Sequence, residues 1–263
     1  MAVVDVEGIA VGYAVTGSGS PLVLLHGGLC DRRVWREQVD LLADRYTVIT
    51  WDAPGCGESE DPPATFTLAD YATCLAGLLR RLDASPAHVV GHSWGGGLAL
   101  QLAVDHPQTV RSLVVLGGYA GWRGSLPADE VERRLRKALD AAKALPGDFD
   151  PQSVPGLFSD LMTADRVREL TAVMSEVRPV GTRVMAMSFA EADLNDRLGE
   201  IAVPTLVLNG AADIRAPVAV AEQLHRAIPG SSLGMLPGLG HEAYLEAPEA
   251  VARAVADFVA GVP

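Results

Sequence analysis

The pentapeptide Gly91-His92-Ser93-Trp94-Gly95 joins an apolar run, Ala87-His88-Val89-Val90, to a run of small and apolar residues from Gly96 to Ala103. A strand that turns abruptly into a helix around a G-x-S-x-G core lifts a serine hydroxyl above the carboxyl end of a parallel sheet. Glycines flank such a turn because strand and helix approach so closely that a side chain would clash. Ser93 is therefore the candidate nucleophile. Its hydroxyl is weak until a base takes the proton, and the base needs a third group to hold its tautomer and offset its charge. Asp213 follows the strand-like stretch Pro204 to Gly210, and His241 follows the apolar run Ser232 to Leu236. Nucleophile, acid, then histidine is the chain order that goes with a serine on such a turn. Asp52 is the rival acid, since it too follows a strand-like stretch, Tyr46 to Thr50. Glu242, beside the base, is expected to point elsewhere.

Attack on a carbonyl builds negative charge on its oxygen, and two backbone N–H groups aimed there supply the stabilisation. The expected donors are the amides of Trp94, directly after the nucleophile, and Gly28, in His26-Gly27-Gly28-Leu29 after the buried strand Pro21 to Leu25. Leu29 is the alternative second donor. Among the remaining histidines, His26 is expected to bond backbone near this loop, and His92 to project to the side opposite Ser93. His88, His106 and His225 read as surface or helix-end residues. None of their spacings matches a zinc site, so no metal is expected.

The elements that must position these groups alternate strand and helix with glycine at the turns, which implies an α/β fold: a mostly parallel sheet covered by helices on both faces. Val3 to Val6 and Ile9 to Val15 read as a hairpin leading into Leu22 to Leu25. Thr47 to Trp51 is the next strand, followed by a helix from about Leu68 to Leu82 and, beyond the Ser93 turn, by the strand Ser112 to Leu116. No further core strand begins before Pro204. The intervening stretch is too long for a crossover and marks an inserted helical cap over residues 119–200, with residues 1–118 and 201–263 forming the core. Apolar positions Val131, Leu135, Leu139, Ala142 and Leu145 give one helix face, ended by Pro146-Gly147-Asp148. Further cap helices are expected over Pro155–Met162, Ala164–Val177 and Pro179–Ala192. The cap's large apolar residues, Tyr119, Trp122, Phe149, Leu157, Phe158, Met162, Met185, Met187 and Phe189, mostly hold it to the core. Leu29, Trp122, Phe158, Met162, Met187 and Phe189 are the candidates to face substrate.

Together these segments resemble the α/β-hydrolase family across nearly the whole chain. Trp51-Asp52-Ala53-Pro54-Gly55-Cys56-Gly57-Glu58-Ser59 adds a match to that family's D-x-x-G-x-G-x-S loop. The resemblance implies a serine hydrolase in which Ser93, Asp213 and His241 form a catalytic triad with no cofactor, cleaving a small to medium, largely apolar ester or lactone through an acyl-enzyme. Serine at the turn departs from haloalkane dehalogenases and epoxide hydrolases, which carry aspartate there. Gly27-Gly28-Leu29-Cys30 departs from the HGGPG loop of proline iminopeptidases. Hydrolysis of a carbon–carbon bond in a diketone and acyl transfer use the same triad, and a binding protein on a hydrolase fold is the alternative of another class.

The chain's 263 residues, 49% of them apolar, can bury a full core, and its net charge of −12 disfavours nucleic acid, which needs a concentrated basic face. The one basic cluster, Arg133-Arg134-Leu135-Arg136-Lys137, is interleaved with Asp129, Glu130, Glu132 and Asp140 and reads as a solvated face. Cys30, Cys56 and Cys74 are scattered and odd in number, which argues against a disulfide framework, and Cys30 and Cys56 lie where they could touch the pocket. The amino terminus lacks a signal-peptide pattern, and no apolar segment is long enough to span a membrane. The expectation is a cytoplasmic protein acting on a small molecule.

Overall fold

The computed structural model describes residues 2–144 and 150–262. Eight strands form one sheet: β1 (Ala2–Val6), β2 (Ile9–Thr16), β3 (Ser20–Leu25), β4 (Tyr46–Trp51), β5 (Ala87–His92), β6 (Val110–Leu116), β7 (Thr205–Gly210) and β8 (Ser232–Leu236). The helices, in chain order, are α1 (Arg36–Leu42), α2 (Leu68–Arg81), α3 (Trp94–Asp105), α4 (Ala128–Ala144), α5 (Ala164–Ser175), α6 (Pro179–Glu191), α7 (Val218–Ala227), α8 (Ala243–Glu246) and α9 (Pro248–Ala260). The strand order is β1-β2-β4-β3-β5-β6-β7-β8. β1 and β2 pair antiparallel, β2 pairs antiparallel with β4, and the ladders from β4 through β3 to β8 are parallel.

Alternation along the central strands divides the core into two layers. Val23, Leu25, Val89, Leu113, Val115 and Val207 face one layer, filled by α2, α3 and α7 through residues such as Leu75, Leu98 and Leu224. Leu22, Leu24, Val90, Val114, Leu116, Leu206 and Leu208 face the other, where Leu42 of α1 and Val251, Val255 and Val259 of α9 pack. Strands buried on both faces read as continuous apolar runs, which is how they stand in the sequence. Because the central ladders are parallel, the ends of β3, β5, β6, β7 and β8 open on one edge. The loops carrying Gly28, Ser93, Asp213 and His241 all leave from it.

Local chemistry explains the helix boundaries. α2 starts at a capping box in which the Thr67 side chain accepts from the Asp70 amide and the Asp70 carboxylate accepts from the Thr67 amide. Pro248 opens α9, where its missing N–H costs nothing. α1, absent from the sequence expectations, has seven residues, and no side chain caps its first turn. The stretch 155–162 holds no helix: Gly156 takes φ +71, a left-handed conformation that breaks the turn expected there. The expected end of α4 at Leu145 and Pro146-Gly147-Asp148, and Phe149, lie outside the described residues. Between β6 and β7 the chain runs through α4, α5 and α6. α6 seats close to the loop after β4, and a Cβ at Gly181 would collide with the Gly55 carbonyl.

α3 is buried from Trp94 to Val104, so it has no solvent face along that length through which to absorb a packing defect. Leu98→Ala is expected to lower the unfolding free energy by about 2–5 kcal/mol, and Leu98→Met by under about 1.5 kcal/mol, in urea titrations.

Candidate active site

β5 pairs with β3 on one side and β6 on the other, so its end is held from both edges. At Ser93 the backbone turns sharply, with φ 53 and ψ −114. Its amide donates to the Leu116 carbonyl (2.9 Å), and its carbonyl accepts from the amides of Gly96 (3.0 Å) and Gly97 (3.2 Å). A Cβ at Gly91 would strike the Gly95 carbonyl, and one at Gly95 the Leu25 carbonyl. Both glycines are thus required by close approach of backbone to backbone.

Ser93 Oγ lies 3.0 Å from His241 Nε2, and His241 Nδ1 lies 2.8 Å from Asp213 Oδ2. Asp213 is 5% exposed and His241 3% exposed, so bulk water does not compete for these bonds. The other carboxylate oxygen, Asp213 Oδ1, accepts from the backbone amides of Arg215 (2.8 Å) and Ala216 (2.7 Å), which fixes the carboxylate's orientation. Asp52, the rival acid, is committed elsewhere. Its oxygens accept from the amides of Arg32 (2.9 Å) and Glu58 (2.9 Å) and from the Arg32 guanidinium, closing the loop after β4.

These groups open on a cavity of about 80 Å³. Gly27, Gly28 and Leu29 form one wall and Trp94 another. A Cβ at Gly27 would stand 3.5 Å from Ser93 Cβ, whereas one at Gly28 would meet nothing within 4 Å. Trp94 begins α3, so its amide has no acceptor within the helix. Of the residues expected to face substrate, Leu29, Trp122 and Phe189 line the cavity. Phe158, Met162 and Met187 do not. Phe158 and Met162 pack into the layer against the rest of the protein. On α6 the lining positions are Thr182, Met185, Ala186 and Phe189, spaced three or four apart on one face. Met187 is two residues from Met185 and so points off that face.

The sequence model of the alpha/beta hydrolase fold family matches residues 20–248. The chain belongs to that family. It is 33% identical over 250 residues to a dihydrolipoyllysine-residue acetyltransferase component of an acetoin cleaving system from Cupriavidus necator, with 92% of this chain and 64% of that protein's length covered. It thus spans less than two thirds of that relative. A putative carbamate hydrolase, RutD, of Caulobacter vibrioides is 27% identical, with 93% of this chain and 92% of that protein covered. Among solved structures, a thermophilic esterase from Thermogutta terrifontis, with malate bound, superposes with a TM-score of 0.89 at 28% identity, over 99% of this chain and 97% of that one.

In this α/β-hydrolase chain the other histidines divide sharply. His26 accepts from the Ala53 amide at Nε2 (3.1 Å), leaving Nδ1–H to donate to the Gly27 carbonyl (2.8 Å), so it ties two loops together. His92 does not stand clear of the site. Its ring lies 4.8 Å from that of His241, and its Nε2–H donates to the His241 carbonyl (3.0 Å). His88 is no surface residue either: it is 4% exposed and bonds Ser112 Oγ across the sheet. Glu242 turns into the cavity wall, where burial raises its pKa. His92, His241 and Glu242 offer ligand atoms within 4.8 Å of one another. Both ring nitrogens of His241 already serve Ser93 and Asp213, which leaves two ligands where a zinc site needs three or four.

Two lining residues, Arg134 and Arg215, went unread as site residues. Arg134 belongs to the basic cluster whose balanced charges suggested a solvated face, and Arg133 and Arg136 do pair there with Glu130 and Glu132. Arg134 turns inward instead, donating to Tyr119 Oη (2.9 Å) and the Arg215 carbonyl (2.9 Å). The only sequence signal for Arg215 is its place two residues after Asp213. Cys30 and Cys56 are buried but are not among the lining residues, and burial pushes both thiols up, Cys56 to about 12. Cys56 Sγ instead touches Met185 Sδ from behind the wall, at 3.3 Å. No helix among the described residues is long and apolar enough to cross a membrane.

Burial pulls the pKa of His26 down and that of His92 well down. An unfolded histidine titrates near 6.5, so below about that pH the unfolded chain binds protons that the folded protein excludes, and stability falls with acid. The loss reaches at most about 1.4 kcal/mol per pH unit per histidine. Urea unfolding at pH 7.5 and pH 5.5 should therefore show a smaller acid loss in His92→Gln than in the wild type; equal losses would refute the assignment of a neutral His92.

Proposed function

We propose that this protein is a serine hydrolase that cleaves a small to medium, largely apolar carboxylic ester or lactone through an acyl-enzyme. The observation that carries the reading is the continuous hydrogen-bonded chain from Ser93 Oγ through His241 to Asp213, facing the cavity. His241 Nε2 takes the Ser93 proton as Oγ attacks the carbonyl carbon. Asp213 holds Nδ1–H, fixing the tautomer that leaves Nε2 free to accept and stabilising the imidazolium that forms. The oxyanion is received by the amides of Trp94 and Gly28, the first at the positive end of α3. His241 then gives its proton to the departing alcohol, and the same nitrogen activates water to release the acid.

Residues 119–200 serve as the cap over this site, with α4 and α6 supplying Arg134, Met185 and Phe189 to the cavity. Trp122, Met185 and Phe189 make its far wall apolar, which favours ester and lactone substrates over charged polymers. The esterase and carbamate hydrolase names of the relatives support hydrolysis at a carbonyl centre. Three free, buried cysteines support a reducing, cytoplasmic setting.

A fluorophosphonate probe should add one adduct to the wild type, mapped to Ser93, and none to Ser93→Ala. Turnover of phenyl pentanoate should fall at least about a thousandfold in Ser93→Ala and in His241→Ala. Asp213→Asn should lose far more activity than Asp52→Asn when both are compared as folded proteins. Undiminished turnover in Ser93→Ala would overturn the mechanism, and a larger loss in Asp52→Asn would move the acid's role to that residue.

A further inference from the structure

The cavity beside Ser93 shares part of its lining with a larger cavity of about 560 Å³, here called the vestibule, and Arg215 is among the residues that line both, which puts it at the boundary, or throat, between them. Its backbone is fixed at both ends. The amide donates to Asp213 Oδ1, and the carbonyl accepts from the Tyr119 hydroxyl and from Arg134 Nη2. Yet its guanidinium makes no hydrogen bond or ion pair among the described residues, and burial pulls its pKa down, although a guanidinium keeps its charge.

Every acid near it is already engaged or disfavoured as an anion. Asp213 is bonded to His241. Glu242 is buried and its pKa raised. In the vestibule, Glu130 is held by Arg133 and Arg134, Asp140 by Lys143, and Asp150 accepts from the Gln152 amide. Asp213 and Glu242 act on the guanidinium only at a distance. A half-buried cation with no ion pair of its own is costly to keep in a largely apolar site, and a planar fork of donors matches a carboxylate.

We propose that Arg215 is a specificity residue that binds a carboxylate carried by the substrate, so that the natural substrate is an anionic ester or lactone. The inference rests on the serine-hydrolase reading and narrows its substrate class. The overall charge of −12 makes the point sharper, because the protein as a whole repels anions while an unpaired guanidinium at this throat attracts one.

Three phenyl-type esters separate the possibilities: phenyl pentanoate, which is neutral; monophenyl glutarate, with the anion on the acyl side; and 3-carboxyphenyl pentanoate, with it on the leaving side. One of the anionic esters should be preferred over the neutral one in kcat/KM by about tenfold or more, and Arg215→Met should reduce that ratio by about tenfold or more, chiefly through KM. Arg215→Lys should restore part of it. An unchanged ratio in Arg215→Met, or no anionic preference in the wild type, overturns the proposal. If no ester is turned over, the hydrolase reading fails separately, and the anion site is then read by calorimetry with glutarate on Ser93→Ala. Binding weakened about tenfold or more by adding Arg215→Met supports the site; no binding, or equal binding, ends it.

Discussion

Everything at this site hangs on the turn at Ser93. Holding a non-glycine residue at φ 53 with ψ −114 costs on the order of 1–3 kcal/mol, and the strain persists only because the surroundings leave no alternative. β5 is hydrogen-bonded on both edges, so its last residues cannot relax sideways. α3 is buried from Trp94 to Val104, so it cannot tilt away. Gly91 and Gly95 let the two elements close to backbone contact, and the Leu116 carbonyl takes the Ser93 amide. The strain is thus borne by the core of the sheet rather than by a loop, and the hydroxyl is delivered to a defined point above the sheet edge.

That rigidity sets how much could be read from the chain. The turn and the strands around it are local: glycine spacing, apolar runs and chain order carry them, and the parallel sheet follows from their alternation with helices. Asp52 and Asp213 show where local information ends. Both follow strands and both sit in loops at the same sheet edge. Each accepts from two backbone amides; what separates them is the side chain that meets them, the Arg32 guanidinium for Asp52 and His241 for Asp213, and those side chains come from distant segments. Residue types that serve several purposes hid in the same way. Arg134 looks like one more member of a balanced surface helix because i,i+4 pairing is visible in sequence, while its contacts to Tyr119 and the Arg215 carbonyl are not. The region from β6 to β7 was legible as long and helical but not in detail. Periodicity marks α4, helices are also expected where α5 and α6 stand, Gly156 undoes the helix expected over Pro155–Met162, and a single step along α6 decides whether Met185 or Met187 meets the cavity.

The cavity combines two opposing electrostatic demands. A serine–histidine pair needs a dry, apolar surrounding so that water neither competes for the hydrogen bonds nor screens the developing charge. Trp122, Met185 and Phe189 provide it. The same dryness penalises every charge left inside, and the molecule answers differently at each. Asp213 is saturated with donors, Glu242 is pushed toward its neutral form, and Arg134 is tied to Glu130 and Tyr119. Arg215 alone is left with its charge unmatched.

His92 completes the geometry from a position that nothing in residue type or spacing singles out. It is the covalent neighbour of Ser93, and its Nε2–H holds the carbonyl of His241, whose own Nε2 meets Ser93 Oγ. The three residues close a ring of one peptide bond and two hydrogen bonds, so the distance between Ser93 Oγ and the His241 ring is tied to the strand that leads into Ser93 as well as to the loop that carries His241. The arrangement works only while His92 stays neutral with its proton on Nε2. Burial and the adjacent His241 both hold its pKa down, and its Nδ1, 4.0 Å from Glu242 Oε2, has no other contact to draw the proton away. Burial thus keeps the ring neutral, and the His241 carbonyl, as the acceptor at Nε2, selects the tautomer on which the spacing of Ser93 and His241 depends.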